Sequence, residues 1–368
     1  MSSFVKLGDL THIRTGKLDA NASSENGQYP FFTCSKEPLR IASYSYDCEC
    51  VLVAGNGDLN VKYYDGKFDA YQRTYIIESA DKRKLLVKYL YFFLDIYVEV
   101  LRTQSIGGVI KYIKLGNLTD ALIPLPSIER QAEIIECLEK CNTLIDKRQR
   151  QIALIEQTVK SRFIELFGNY DLTHPQESWA PIKEVGTVVG GATPKTDHDE
   201  YWGGSYRWIT PAELDADSGY IYDSVRKLTK AGVESCSLQE MPVGTVILSS
   251  RAPIGKVAIA GNTFYCNQGF KNIICKEGIT PRYLYTVLLL NVEYLNSLGR
   301  GATFKEISKG IVESIRIPVP SMELQEQFAA FVEQTDKSKY YSSLSFRYCQ
   351  AAANTYRQEW MTCRTSDF

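Results

Sequence analysis

The second half of this chain repeats the first. Leu115–Gln131 reads LGNLTDALIPLPSIERQ and Lys309–Gln325 reads KGIVESIRIPVPSMELQ, so a Pro-x-Pro-Ser-x-Glu-x-Gln core recurs at a constant offset of 194 residues. The same offset pairs Tyr89-Leu90 with Tyr283-Leu284, and Gly107, Ile110, Lys111 and Ile113 with Gly301, Phe304, Lys305 and Ile307. Upstream the offset slips to 195 for Val51 and Val246, to 196 for Gln72 and Gln268, and to 175 for Leu10, Ile13 and Gly16 against Val185, Val188 and Gly191. The length difference falls between Phe32 and Val51 of the first copy, where the second carries an extra segment around Pro211–Pro242. Any fold for this chain must therefore be built from one frame used twice, with different inserts.

Two long segments follow the repeated core. From Ser127 to about Phe167, apolar residues recur in alternating steps of four and three: Ile134, Leu138, Cys141, Ile145, Ile152, Ile155, Val159 and Leu166, interrupted by Arg148 and Arg162. Over more than four heptads that spacing makes a seam on one helix face, and Ser127 with Glu129 supplies a capped start. Shifted by 194, the seam returns as Phe328, Val332, Thr335, Lys339, Ser342, Phe346, Cys349, Ala353, Tyr356 and Trp360 on a second helix starting near Ser321. Two such helices, each after an equivalent unit, would pack antiparallel about a pseudo-twofold axis with the units at opposite ends. An ordinary helical hairpin inside one domain is the alternative.

The segments before the helices are different in kind. Residues 1–126 and 168–320 are rich in Gly and Tyr, with β-type runs at Cys50–Ala54, Tyr75–Glu78, Thr245–Ser249 and Asn272–Cys275, and helical stretches near Leu85–Leu101 and Pro281–Leu298. They predict an α+β fold: two globular domains, 1–126 and 168–320, joined by two long helices, 127–167 and 321–361. A tail at 362–368 has no heptad character and is expected to lack fixed structure.

Composition narrows the function classes. No run of 18 apolar residues and no leader-like start appear, which points to a cytoplasmic protein outside the membrane. The ten cysteines are scattered and the three histidines form no zinc-type cluster, so reduced, mostly buried thiols are expected. Residues 1–127 hold 15 Lys and Arg against 14 Asp and Glu, and residues 168–320 hold 15 against 16, so bulk charge would not grip nucleic acid. No phosphate-binding loop, dinucleotide turn or amino-methyltransferase tetrapeptide is present, and the acids Asp197, Asp199 and Glu200 beside His198 read as a solvated loop. Catalysis by this chain alone is not expected, and no cofactor is called for.

What remains is a set of polar, basic and aromatic residues in loops. Tyr71-Gln72-Arg73 matches Asn267-Gln268-Gly269 with Lys271 close behind, and Arg251 follows a strand. Gln and Arg can read adenine and guanine edges, whereas Lys, Ser and Thr hold phosphates. Lys111 and Lys305 each follow a Gly-containing turn, an arrangement suited to a phosphate. Lys36 and Thr303 complete the DNA-binding candidates.

The order of parts resembles the specificity subunit of type I restriction–modification systems. The resemblance rests on the two helix entries, 123–131 and 317–325, and on the unit openings Val5-Lys6-Leu7-Gly8-Asp9-Leu10 with Thr15-Gly16, and Ile182-Lys183-Glu184-Val185 with Gly190-Gly191-Ala192-Thr193-Pro194. It covers nearly the whole chain. It implies two target recognition domains reading a bipartite, asymmetric double-stranded DNA site, with an antiparallel coiled coil as spacer. Two modification subunits would bind S-adenosylmethionine and methylate adenine, and restriction subunits would add ATP-driven cleavage. A stand-alone double-headed DNA-binding regulator, a helix-mediated protein scaffold and an enzyme with an unrecognised pocket are the rival readings of the residues.

Overall fold

In the computed structural model, residues 3–168, 170–214, 219–236, 238–251, 253–301 and 305–362 are described. The chain divides into two compact units, Met1–Gln149 with Ser345–Phe368, and Arg150–Leu344.

The first unit is built on a six-stranded sheet, in the spatial order Thr11–Thr15, Thr74–Ser79, Tyr46–Ala54, Val61–Ala70, Tyr29–Phe32, Leu39–Ile41. Neighbours are antiparallel except Tyr29–Phe32, which runs parallel to Val61–Ala70. The central strand ends in the unbroken apolar run Cys50–Ala54, every residue of which is buried, because both faces of the sheet are covered. Val51, Val53 and Ile77 pack under the helix Val87–Gln104 through Tyr89, Leu90, Phe93 and Leu94. On the other face Cys50, Leu52 and Ile76 meet Phe32, Tyr46 and Phe68.

The second unit keeps the frame. Gly186–Val189, Asn272–Cys275, Val246–Leu248 and Val257–Ala260 lie in the same order as the first four strands above, all antiparallel, and Tyr220–Ile221 is added at the edge. Register matches the sequence offsets: Ile77 sits opposite Ile13 and Val51, and Ile273 opposite Val188 and Val246. Where the first unit has the ten-residue strand Val61–Ala70, the second has Val257–Ala260 and Tyr265–Cys266, separated by a bend at Gly261-Asn262. Tyr265–Cys266 therefore belongs to a separate three-stranded sheet with Trp202–Ile209 and Arg226–Leu228.

The shared Pro-x-Pro-Ser-x-Glu-x-Gln core fastens each long helix, Ile128–Phe167 and Met322–Thr362, to its own unit. The Ser127 hydroxyl accepts from the Arg130 amide at 3.3 Å. Hydrogen bonds from its own backbone amide and from Ser127 hold the Glu129 carboxyl below the ordinary range. Gln131 is fully buried: its Nε2 donates to the carbonyls of Lys84 and Pro126, and its Oε1 accepts from the Leu86 amide. Gln325 repeats the set with the carbonyls of Gly278 and Pro320 and the amide of Thr280. The Tyr89 hydroxyl donates to the Pro124 carbonyl as Tyr283 does to Pro318.

Within the first unit, the start of the first long helix meets the end of the second. Ile134 and Leu138 share a core with Trp360, and Arg357 donates to the Asn142 side chain. Within the second unit Phe163 lies 5.3 Å from Phe328 between ring centroids, and Lys339 forms an ion pair with Glu156 at 2.9 Å, so numbers rise on one helix as they fall on the other. The helices are antiparallel there. Every residue of both expected seams, including Arg148 and Arg162, is buried or half-buried. Lys339 in the second seam thus has a partner on the facing helix, and Ser342 donates to the Ser338 carbonyl in its own.

Two expectations need correction. The helix expected over Pro281–Leu298 is two, Pro281–Leu290 and Val292–Ser297, because Asn291 breaks it by donating to the Val287 carbonyl and accepting from the Leu172 amide. Among the described residues only Cys50 and Cys266 are buried, while seven free cysteines are half-buried. Cys48 and Cys275 sit on interior strands, Cys34 and Cys236 in loops, and Cys137, Cys141 and Cys349 on the long helices. Residues 363–368 of the expected tail lie outside the described residues.

Candidate nucleic-acid interface

The loops at one end of each sheet are tied together by backbone hydrogen bonds that recur in both units. In the second unit the strand Val246–Leu248 runs on to Ser250, whose amide donates to the Gly269 carbonyl at 2.8 Å and whose carbonyl accepts from the Ile307 amide at 2.9 Å. In the first, Gly55 makes the same two bonds, to the Arg73 carbonyl at 2.8 Å and from the Ile113 amide at 2.9 Å. The next residue, Arg251 or Asn56, bridges to Glu306 or Tyr112. A second tie brings the opening of each unit against the far end of the sheet. A Cβ on Gly16 would lie 2.1 Å from the Ala70 carbonyl oxygen, and one on Gly191 would lie 2.0 Å from that of Cys266, so only glycine fits at either place.

This frame gathers the sequence-predicted residues. In the first unit Tyr71 is half-buried and its amide donates to the Phe32 carbonyl, while Gln72 and Arg73 are exposed. Lys111 is exposed and its carbonyl accepts from Gly57, which pins the Gly-containing turn to the Gly55–Gly57 loop. Lys36 lies 3.7 Å from Asp58, and its neighbour Cys34 donates to the Arg73 carbonyl and accepts from Asn60. All five flank one loop.

In the second unit the exposed Gln268 accepts from the Thr193 hydroxyl at 2.6 Å, and Asn267 accepts from the Gly269 amide. Arg251 and Lys271 share the carboxylate of Glu306, at 2.9 and 3.2 Å. Partial burial pushes the Glu306 carboxyl up, but the hydrogen bonds and charges of Lys271 and Arg251 outweigh it and hold the group below the usual carboxylate range. Lys271 is thereby largely withdrawn from solvent, whereas the Arg251 side chain stays 46% exposed. Lys305 is exposed beside this cluster. Thr303 lies outside the described residues.

Sequence reasoning missed Glu306, Asn56 and Thr193. Glu306 takes the position of Tyr112, so the repeat gave no signal for it; Thr193 lies within a unit opening, where the repeat does not reveal its contact with Gln268. His198 pairs with Glu200 at 2.7 Å and stacks on Tyr201 at the surface. Among the described residues no group of three or more His, Cys, Asp or Glu could hold a metal ion, and no helix is long and apolar enough to cross a membrane.

What this end of each unit offers is a rigid backbone rim carrying side chains with spare donors, suited to base edges and phosphates. The chain matches the type I restriction modification DNA specificity domain over residues 2–157 and again over 177–340. It is 40% identical to the type I restriction enzyme EcoDI specificity subunit of Escherichia coli, covering 90% of this chain and 80% of that protein. A stretch 42% identical to the MjaIX specificity subunit of Methanocaldococcus jannaschii covers 48% of this chain and 42%, less than half, of that protein. In fold it is similar to the type I restriction–modification S subunit from M. genitalium, with a TM-score of 0.68 at 14% identity, covering 99% of this chain and 97% of that one. A chain from a solved structure concerned with complex assembly of the type I system gives 0.52 at 16% identity, covering 99% and 98%. Duplicated frame, helix-entry motif and relatives together place the chain in the family of type I restriction–modification DNA specificity subunits.

Proposed function

We propose that this chain reads a bipartite, asymmetric double-stranded DNA site, one half with the loops of residues 1–126 and the other with those of 168–320. The observation that carries the reading is a common rim with uncommon side chains. Backbone ties at Gly55 and Ser250 are the same, yet Asn56 faces Tyr112 where Arg251 faces Glu306. A frame kept constant while its reading positions vary is what two different half-sites require.

In this reading Gln72, Arg73, Asn267, Gln268 and Arg251 address base edges, with Tyr71 beside them, while Lys36, Lys111, Thr303 and Lys305 contact phosphates. Lys271 positions Glu306. The helices 127–167 and 321–361 serve as the spacer that sets the unread gap, each about 60 Å long over some 40 residues. The chain carries no catalytic group or cofactor of its own. Two modification subunits supply S-adenosylmethionine and adenine methylation, restriction subunits supply ATP-dependent cleavage, and the complex works in the cytoplasm.

Modification-aware sequencing of cells with and without this chain, its methyltransferase present in both, tests the proposal. A two-part adenine-methylation motif that vanishes with the chain is expected. An active methyltransferase whose pattern is indifferent to the chain would overturn it.

A further inference from the structure

We infer that Arg226, outside all the positions above, reads a guanine in the half-site taken by the second domain. The inference rests on the DNA-reading function just proposed and adds a base-specifying residue to it.

The guanidinium carbon of Arg226 lies 3.4 Å from the ring centroid of Trp202 and 5.5 Å from that of Trp208, and the two indoles meet edge to face at 5.1 Å. Both rings are fixed. Trp208 is buried and donates its indole N–H to the Ala192 carbonyl at 3.1 Å, and Trp202 donates to the Lys195 carbonyl at 3.2 Å. The platform therefore stands on the segment 192–195, whose Thr193 holds Gln268 at the reading rim.

Stacking occupies the face of the guanidinium and leaves its edge. Among the described residues that edge has no hydrogen bond or ion pair, whereas the nearby Arg207 and Lys227 are both committed to Asp223, each at 3.2 Å. A flat, pre-oriented fork of N–H donors matches O6 and N7 of guanine, and most of its side-chain freedom is already lost before DNA arrives. A lone stack on tryptophan would need none of this: a lysine has the charge for it but not the fork.

Register supplies the second argument. Arg226 lies opposite Trp208 as Leu39 lies opposite Phe31, on strands that are each parallel-paired to equivalent partners. Equivalent register places thus carry an arginine in one domain and a 42% exposed leucine in the other. Both lie in the stretch where the two copies differ in length, beside the four shared strands, so side chains there vary without disturbing the frame.

The test uses the complete complex in cells, with modified sites sequenced for wild type, Arg226→Lys and Arg226→Gln. Both variants should relax one guanine position in one half of the motif, with roughly a ten- to hundredfold loss of preference for guanine there, and leave the other half untouched. Arg226→Lys keeps charge and bulk, so it separates lost reading from lost folding. An unaltered motif in the lysine variant, whether modified as fully as in wild type or uniformly less, would mean a phosphate or packing role and overturn the inference. A wild-type chain that directs no two-part motif would instead bring down the function on which the inference stands.

Discussion

Gln131 and Gln325 show how much one repeated residue can settle. Each is fully buried with both ends of its amide satisfied by backbone, so truncation strands buried donors and acceptors in a place water cannot reach. Gln325→Ala should cost on the order of 3 kcal/mol and lower the melting temperature of its unit by roughly 6–12 °C; calorimetry showing no shift would refute the clamp. Glu306 makes a prediction of another kind. Its carboxyl is held below the usual range, hence below its unfolded value near about 4.3, so its contribution is complete above that pH and is lost as pH falls through the folded value. Wild type should melt above Glu306→Gln at neutral pH, and the gap should close below about pH 4. A gap that is constant with pH would rule out the ion pairs. The clamp glutamines and Gly16 and Gly191 stood out in sequence as repeated positions because the same demand of the backbone appears twice, although what each one touches did not. Glu306 was not, since an interaction present in one copy alone leaves no echo in the other.

Elements were most readable where a single periodicity governed a long run. The heptad seam of residues 134–166 marks a helix that the structure continues from Ile128 to Phe167, and even its polar members are at least half-buried. The weaker second seam is a helix too, with Lys339 retained because Glu156 faces it. Periodicity failed at Asn291, where a side chain competes for the backbone bonds that would continue the helix, and it gave no reading of Gly261-Asn262, where a bend splits a strand that is whole in the other unit. Removing one heptad, 145–151, with its counterpart 339–345 keeps each seam on its face while shortening each helix by about 10 Å. The gap between half-sites should shrink and the bases of each half should stay the same. Sequencing of modified sites that finds changed bases, or an unchanged gap, would contradict the spacer role.

At the scale of the whole molecule, charge is the informative quantity. With a net charge of −1 the chain has no bulk electrostatic hold on DNA, so affinity has to come from local patches, such as the lysines proposed to meet phosphates, or from a partner. Binding measured against salt should give a shallow dependence for the chain alone and a much steeper one for the complex with its modification subunits. Equal slopes would mean that this chain makes the phosphate contacts unaided. The glutamine clamp carries a consequence beyond stability. Both reading domains end in the same socket, and neither socket draws on anything particular to the bases being read. A gene segment cut at that joint and spliced into a related chain would deliver a reading domain with its three hydrogen bonds ready to form. Recombination at the joint is therefore a route to new pairs of half-sites that asks for no change in any reading residue.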